Sequence, residues 1–242
     1  MNEVTKKGAL LVVGAAGDVG QGIVAAALAS GRQVIAAGRD GDKLERIVAR
    51  PQGKMLACVI GDIATEVGAV ALWNAAAAKS GNIDAVVVSV NAPNKAKSLM
   101  EWSAADLSAL LSSNLLVHFI AARIFVPRLP ENGILIGIGG GTADFIIPRM
   151  AYVSISQAAQ RMMYRGLARE RQGGAEIREL MIVSMVNGES NRDKAKPEWV
   201  TDVDVGQHVC AILDAPANFP GPVLQLKSRK QVGRPDSATE KN

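Results

Sequence analysis

Aromatic residues are scarce in this sequence. Phe, Trp and Tyr together make up 4% of its 242 residues, and only two residues are Tyr. Proteins that bind single-stranded nucleic acid by base stacking need repeated aromatic side chains, so the composition argues against that class. The core must be built mainly from Ala, Val, Leu and Ile, and any chemistry that needs a Tyr hydroxyl must use Tyr152 or Tyr164.

Cysteine and long apolar runs are also missing. Cys58 and Cys210 can form one pair at most and do not have the spacing of metal ligands, so neither a disulfide framework nor a metal site is predicted. No run of about 18 uninterrupted apolar residues is present, so no membrane span is expected. Lys6 and Lys7 followed by GALLVVGAAG imitate a secretory signal, but the run is short and glycine-broken, which favours a buried first strand. We expect a cytoplasmic protein.

The net charge of +4 is concentrated at one end of the chain. Residues 227–242 contain five Lys or Arg and two Asp or Glu, which leaves the rest of the sequence nearly neutral. A short polar terminus is usually solvated chain. The sequence therefore predicts a polar basic tail over 227–242 and no nucleic-acid partner.

Short apolar runs alternate with longer segments of helical spacing, which is typical of a parallel sheet covered by helices on both faces. The predicted strands are 10–13, 33–37, 55–60, 85–90, 134–138, 180–185 and 223–226, and the predicted helices are 18–30, 42–49, 65–80, 104–127, 150–172 and 202–213. We predict one doubly wound, Rossmann-type α/β domain of about seven strands over residues 1–226. Residues 187–200 are polar and predict a loop or lid beside the ligand crevice.

A glycine-rich turn joins the first predicted strand to the first helix. Gly14, Gly17 and Gly20 have the spacing G-x-x-G-x-x-G, with Asp18 and Val19 between the last two. In such a turn the first glycine permits a tight bend, the second lets the backbone approach a pyrophosphate, and the third lets the helix pack closely. The helix start offers N–H groups to phosphate oxygens. These residues therefore predict a dinucleotide site.

With several other residues, this turn resembles the short-chain dehydrogenase/reductase family. The resemblance covers nearly the whole chain and also rests on Gly38 and Arg39 after the second strand, Asp62 and Ile63 after the third, Asn114 in the fourth helix and Tyr152 opening the fifth. It implies an oxidoreductase that binds NAD(P) and acts on a small molecule. It also implies a homodimer or homotetramer that pairs through the long fourth and fifth helices.

The end of the second strand indicates which dinucleotide binds. A carboxylate there usually takes the ribose hydroxyls of NAD, whereas an Arg accommodates the 2′-phosphate of NADP. Arg39 therefore predicts NADP(H) rather than NAD, the alternative being an arginine that only solvates the strand end. The resemblance implies that Asp62 contacts the adenine amine and Ile63 packs nearby. The family's turn after the fourth strand would begin at Ser89, although the literal Asn-Ala pair begins at Asn91.

The resemblance also implies a catalytic set, and this set is incomplete. In the family a Tyr hydroxyl exchanges a proton with the substrate oxygen while hydride moves to or from the nicotinamide. Tyr152 has that position, whereas Tyr164 lies more than three helical turns further on. The Lys expected four residues after Tyr152 is Ser156, and the Ser expected thirteen residues before it is Gly139.

The remaining hydroxyls supply the rest of the candidate set. Thr142 is nearest to the missing Ser, Ser156 could hydrogen-bond to the ribose or to Tyr152, and Asn114 is retained. A phenol without a neighbouring cation keeps its proton near neutral pH, which suits a general acid better than a base. We therefore predict NADP(H)-dependent reduction of a carbonyl-containing small molecule.

Two alternatives stay open at this point. One is a family member that binds nucleotide without standard redox activity, as a sensor, partner subunit or scaffold. The other is a non-redox lyase or isomerase that uses the same pocket. His118 lies on an apolar helix and is interpreted as a satisfied or interface histidine rather than a catalytic one.

Overall fold

The computed structural model describes residues 7–48, 55–92 and 95–235. Its strands are β1 (Ala9–Val13), β2 (Val34–Gly38), β3 (Leu56–Ile60), β4 (Ile83–Val88), β5 (Ile134–Gly140), β6 (Glu176–Ile182), β7 (Val186–Asn187), β8 (Val200–Thr201) and β9 (Val223–Leu226). Its α-helices are α1 (Asp18–Ala29), α2 (Gly41–Val48), α3 (Glu66–Ser80), α4 (Ala104–Leu111), α5 (Val117–Phe125), α6 (Ala151–Glu170) and α7 (Asp202–Asp214).

Seven of these strands form one parallel sheet in the order β3-β2-β1-β4-β5-β6-β9. The order reverses direction between β1 and β4, which is where ligands bind in doubly wound sheets. Val13 pairs with Ala37 on one side and with Val88 on the other, so these strands end at a common edge. The predicted Rossmann-type α/β fold is confirmed.

Both faces of the sheet are buried, as the continuous apolar runs predict. Leu10 and Val12 on β1 belong to a core shared with α1 and α7, whereas Leu11 and Val13 belong to a second core shared with α3, α5 and α6. Successive side chains of a strand point to opposite faces, so the run at β1 supplies both cores.

The predicted fourth helix is interrupted in its middle. Ser103 caps α4 by accepting a hydrogen bond from the Asp106 N–H at 3.1 Å, as its position in the sequence predicts. A π-helical turn, Ser112–Leu116, then separates α4 from α5. The whole stretch Ala104–Arg128 is long and apolar enough to cross a membrane, but Ala121 and Phe125 are buried in the core, as in a helix that packs on a sheet.

The sixth strand begins four residues before its predicted start at 180. Arg178 and Glu179 lie outside the predicted strand, yet both are buried in β6. The Arg178 guanidinium donates to the Pro216 carbonyl at 3.0 Å and pairs with Glu176. Buried charges are tolerated where they have such partners, so the strand begins before the apolar run does.

Two polar segments contain more structure than expected. Within residues 187–200, a 3-10 helix, Glu189–Lys194, lies between β7 and β8, which pair with each other. In the tail, the Arg229 guanidinium lies 2.9 Å from the Asp204 carboxylate, and Val232 packs against the core. The rest of the predicted tail, 236–242, lies outside the described residues.

Candidate functional site

A cleft of about 870 Å³ opens at the carboxyl edge of the sheet. It is bordered by the turns that follow β1, β2, β3 and β4 and by the end of α4 with the π-helical turn. Seven of the predicted cofactor residues line it: Gly14, Gly17, Arg39, Asp62, Ile63, Ser89 and Asn91. The fold therefore brings most of the predicted binding residues together, although they come from four separate turns.

The turn after β1 has a backbone that requires glycine. Gly14 has φ +83°, and a Cβ atom there would lie 2.1 Å from the Ser89 carbonyl oxygen. A Cβ atom at Gly20 would lie 2.2 Å from the Gly14 carbonyl oxygen, so Gly20 serves close packing and does not line the cleft. Gly17 precedes α1 and no side chain caps that helix. The first-turn N–H groups and the positive end of the helix dipole can therefore hold an anion.

Asp18 and Val19, predicted as cofactor residues, do not line the cleft. The Asp18 carboxylate accepts hydrogen bonds from the Ser190 N–H at 3.1 Å and from the Ser190 hydroxyl. Val19 packs against the core beneath the turn. The Asp18 side chain instead holds the segment that follows β7.

Basic side chains lie at the β2 end of the cleft. Arg39 lines it together with Asp40 and Lys43. The Lys43 ammonium lies 3.3 Å from the Asp40 carboxylate, and the Lys43 N–H donates to that carboxylate, which lowers the pKa of Asp40. The sequence analysis missed Lys43, although its place in the first turn of α2, four residues after Arg39, was a usable signal.

Hydrogen bonds also shape the walls of the cleft that follow β3 and β4. The Asp62 carboxylate accepts from the Ala64 N–H at 3.0 Å, and Ile63 is buried beside it. The Ser89 N–H donates to the Val13 carbonyl at 2.8 Å, which extends the β1–β4 pairing to the turn that carries Ser89 and Asn91.

Asn114 and His118 hold the turn after β4 in place from below. The Asn114 side-chain oxygen accepts from the Ala92 N–H at 2.5 Å, and the His118 Nε2 lies 3.0 Å from the Val90 carbonyl. Because a carbonyl only accepts, Nε2 carries the hydrogen and Nδ1 accepts from the Tyr164 hydroxyl at 3.0 Å. Burial lowers the pKa of His118 to about 4. This histidine is neutral and satisfied, as its apolar helix suggested.

Tyr152 lies in the first turn of α6, outside the lining of the cleft. It is 1% exposed. Its hydroxyl accepts a hydrogen bond from the Lys95 N–H at 2.6 Å, and its ring packs on Trp102 with 5.1 Å between the ring centroids. The segment 95–102 thus covers the tyrosine, and the Lys97 N–H ties this segment to the Arg149 carbonyl at 2.8 Å.

The two hydroxyls predicted to assist Tyr152 have different surroundings. Ser156 is buried, and its hydroxyl donates to the Tyr152 backbone carbonyl at 3.0 Å. This bond within the helix does not reach the cofactor cleft or the phenol. Thr142 is half-buried in the 3-10 turn that directly follows β5. Of the two, Thr142 is the more exposed, and its role stays a prediction.

The space above Gly139 is taken by a carboxylate. A Cβ atom at Gly139 would lie 2.4 Å from the Glu179 Oε1 atom. Gln160 donates to that oxygen at 3.1 Å, whereas the buried Oε2 has no hydrogen-bond partner among the described residues. Burial raises the pKa of Glu179 to about 7, against smaller lowering effects of Gln160 and Arg161. Glu179 directly precedes the predicted strand 180–185 and is not among the predicted site residues.

Comparison with known proteins identifies the family. The sequence pattern of the family described as short chain dehydrogenase matches residues 8–188. The chain belongs to the short-chain dehydrogenase family. Its members are oxidoreductases that act on small molecules, and the resemblance stated from the sequence is thereby confirmed. A search of curated proteins finds no match.

Solved structures of this family share the fold. A short-chain dehydrogenase/reductase from Brucella melitensis is 20% identical, with a TM-score of 0.80 over 90% of this chain and 94% of that one. A 3-ketoacyl-(acyl-carrier-protein) reductase from Brucella melitensis, complexed with NADH, is 18% identical, with a TM-score of 0.77 over 91% and 96% of the two chains. An alcohol dehydrogenase from Thermococcus sibiricus, complexed with 5-hydroxy-NADP, is 20% identical, with a TM-score of 0.76 over 91% and 96%. The fold therefore occurs with both kinds of dinucleotide.

Proposed function

We propose that this protein is an NADP(H)-dependent reductase of a carbonyl-containing small molecule, with Tyr152 as the proton donor. The observation that carries the proposal is the hydrogen bonding of the Tyr152 hydroxyl. It accepts from the Lys95 N–H, and its own hydrogen is not given to any atom of the described residues. A phenol oriented in this way can donate to a substrate oxygen.

The residues of the cleft fit a phosphorylated dinucleotide. Gly14 has no Cβ atom in the tight turn, and no side chain caps the start of α1, so the backbone there can approach a pyrophosphate. Arg39 and Lys43 would bind a 2′-phosphate by charge-assisted hydrogen bonds, and Asp62 and Ile63 would border the adenine. When bound, the nicotinamide supplies the hydride for carbonyl reduction.

The direction of the reaction follows from what surrounds Tyr152. Ser156 stands where the family has a lysine, so that position supplies no cation beside Tyr152. Tyr152 then acts as an acid in reduction rather than as a base in oxidation. Asn114 acts as a positioning residue through Ala92, and Thr142 supplies the hydroxyl closest to the end of β5. Since Tyr152 is covered by Trp102, we expect the segment 95–102 to shift when substrate binds.

Replacement of the phenol tests this role. We expect Tyr152→Phe to lower kcat for NADPH oxidation by about 100-fold or more, since general acid catalysis contributes at least that factor. The Kd for NADPH should stay within about threefold of the original value, because the cofactor cleft does not include Tyr152. Tyr164→Phe is the matched control, and its kcat should be retained. Full activity of Tyr152→Phe on a panel of aldehydes and ketones would refute the proposal.

A second candidate is a nucleotide-binding family member without redox activity. It is favoured by the loss of the family's Lys and Ser and by the nearly complete burial of Tyr152. NADPH binding without hydride transfer to any carbonyl in the panel would support it. A non-redox lyase or isomerase would be recognised by activity that survives removal of the nucleotide.

We also infer a homodimer or homotetramer in the cytoplasm. Leu116 and Phe119 near α5 and Met162 on α6 are exposed hydrophobic side chains on the helices by which the family pairs. A monomer in light scattering would contradict this assembly.

A further inference from the structure

One side of α6 holds the end of β5 and the turn that follows it. Gln157, Gln160 and Arg161 are three or four residues apart, so they lie on the same side of this helix. The Gln160 amide donates to the Ile138 carbonyl at 3.0 Å. The Gln157 side-chain oxygen occupies the place that a Cβ atom of Gly140 would need. The first two of these side chains therefore contact the last residues of β5.

Arg161 holds the turn itself. The turn comprises residues 141–144, and we call it the Thr142 turn. The Arg161 guanidinium lies 2.6 Å from the Asp144 carboxylate and donates to the Ala143 carbonyl at 3.5 Å. The Asp144 side chain is 55% exposed, and ion pairs that are open to water are weak. The place of the Thr142 turn therefore depends on a contact that a competing carboxylate could disturb.

Glu179 on β6 is such a carboxylate. It is fully buried, its Oε1 atom accepts from the Gln160 amide at 3.1 Å, and its Oε2 atom has no partner in the part of the chain that the structure describes. Burial raises the pKa of Glu179, and the hydrogen bond from Gln160 and the positive charge of Arg161 oppose this. An ionised carboxylate in this place lacks hydrogen-bond donors and needs a cation, whereas a protonated one does not.

The surroundings of Glu179 supply little else to balance a negative charge. The neighbouring strands β5 and β9 contain no charged or titratable residue. The Tyr164 hydroxyl on α6 hydrogen-bonds to His118 on α5. Burial keeps both groups neutral near pH 7, because it raises the pKa of Tyr164, together with the charge of Glu179, and lowers that of His118 to about 4. Arg161 is thus the cation that Glu179 shares with Asp144.

We propose that Glu179 is a positioning residue for the Thr142 turn, and that only its protonated form leaves Arg161 on Asp144 and the turn in place. When Glu179 ionises, its buried charge attracts the Arg161 guanidinium, and the pairing of Arg161 with Asp144 weakens. Because burial raises the pKa of Glu179 to about 7, this change falls between about pH 6 and about pH 8. The inference rests on the proposed reductase function, in which Thr142 belongs to the candidate catalytic set.

Amide hydrogen exchange of the full chain tests the positioning without requiring turnover. The amides of the Thr142 turn are the reporters, among them the Asp144 N–H, which donates to the Gly141 carbonyl at 3.0 Å. After correction for the intrinsic effect of pH, their exchange should be about three- to fivefold faster near pH 8 than near pH 6. This is the effect expected from the loss of one ion pair that is partly open to water.

Two variants should hold the turn in opposite states. Glu179→Gln cannot ionise, so its turn should exchange slowly at both pH values. Asp144→Asn removes the exposed partner of Arg161, so its turn should exchange fast at both, and this variant keeps the inference testable if Glu179→Gln does not fold. The exposed Glu45→Gln is the control and should keep the pH dependence of the original protein.

The rate of carbonyl reduction by NADPH should follow the same pattern. In the original protein kcat should fall by about three- to fivefold between about pH 6 and about pH 8. This fall should be absent from Glu179→Gln, which stays at the higher rate, and from Asp144→Asn, which stays at the lower rate. The Kd for NADPH should change by less than about twofold, because neither residue lines the cofactor cleft.

The outcomes separate this inference from the reductase proposal. Exchange of the Thr142 turn that does not change with pH, or a pH dependence that persists in Glu179→Gln, would overturn the role of Glu179. Slow exchange of Asp144→Asn at both pH values would overturn the route through Arg161. The expected exchange in all variants, without reduction of any carbonyl compound, would refute the reductase and leave the positioning by Glu179 standing.

Discussion

The cofactor half and the catalytic half of the site both depend on glycine, but in opposite ways. At Gly14 and Gly20, the space that a side chain would need is filled by backbone atoms of the tight turn that borders the cleft. At Gly137 and Gly139 on β5, that space is filled by the Tyr164 hydroxyl and the Glu179 carboxylate. A missing Cβ atom therefore marks a ligand cleft in one region and a buried polar cluster in the other.

This difference explains how the two halves relate to the family. The cofactor half keeps residues whose function depends on backbone geometry, which a glycine turn and a helix start provide by themselves. In the proposed catalytic half, Ser156 and Gly139 stand where the resemblance implies a Lys and a Ser, and the Glu179 carboxylate fills the space above Gly139. Under the proposed function, binding of the nucleotide therefore rests on backbone geometry, whereas turnover would rest on Tyr152 without the family's Lys and Ser.

The largest effect is expected at Gly14. Gly14→Ala puts a Cβ atom against the Ser89 carbonyl at a left-handed φ of +83°, so the turn must move and NADPH affinity should fall by more than about 100-fold. Gly31→Ala is the control, since Gly31 has φ +77° but nothing within 4 Å of a Cβ atom. Calorimetric titration of both variants, with their unfolding measured by circular dichroism, separates the clash from backbone strain. Equal losses of affinity in the two variants would show that strain alone is responsible.

The next effect concerns the buried carboxylate of the catalytic half. The pKa of Glu179 is raised from 4.5 to about 7 in the folded protein, so its protonated form is favoured by folding. Protonated Glu179 therefore makes its full contribution to the free energy of unfolding below pH 4.5. This contribution is lost as the pH rises through about 7.

Glu179→Gln cannot ionise and should therefore be more stable than the original protein above pH 7, by about 3 kcal/mol, and similar to it near pH 4. Urea unfolding at several pH values measures this difference. The exposed Glu45→Gln is the control and should show no such pH-dependent gain. A constant difference at all pH values would show that Glu179 does not titrate in this range.

A smaller effect distinguishes the two dinucleotides. Arg39→Ser should weaken NADP binding by about 10- to 100-fold, because a hydrogen bond to a charged group contributes about 1.5–3 kcal/mol. NAD affinity should change little, since NAD lacks the 2′-phosphate. Arg169→Ser, in the last turn of α6, controls for the loss of one positive charge. Tighter binding of NAD than of NADP by the original protein would contradict the proposed preference for NADP.

The smallest effect is expected at Ser156. Because its hydroxyl bonds to the Tyr152 backbone carbonyl, Ser156→Ala should change kcat by less than about twofold. The free energy of unfolding should fall by about 1 kcal/mol or less. A tenfold loss of kcat with normal stability would mean that this serine assists catalysis after all.

Much of the fold could be predicted because it depends on neighbours along the chain. The apolar runs gave six of the large strands with modest boundary errors, and the Ser103 cap was visible as a local pattern. The predicted start of β6 was four residues late, because Arg178 and Glu179 are buried charges with partners from distant parts of the chain. Nothing in the local sequence indicates such partners, so the apolar run revealed only the later part of this strand.

The candidate site was predicted unevenly for the same reason. Gly14, Arg39 and Asp62 could be found because each follows a strand, and the carboxyl ends of parallel strands meet at one edge. Asp18 has the right position in the turn, but its side chain is held by Ser190, which lies 172 residues further on. Sequence spacing predicts the backbone position of a residue, but it does not predict which partner the side chain contacts.

The sequence by itself determined the α/β order and the glycine turn, because periodicity and backbone conformation are properties of short stretches. The choice of Tyr152 over Tyr164 rests on the resemblance to the family and stays a prediction. Only the tertiary structure decided that Lys95, 57 residues away, contacts the Tyr152 hydroxyl, and that Glu179 fills the space above Gly139. These contacts join elements whose proximity depends on sheet order and register, which no local pattern encodes.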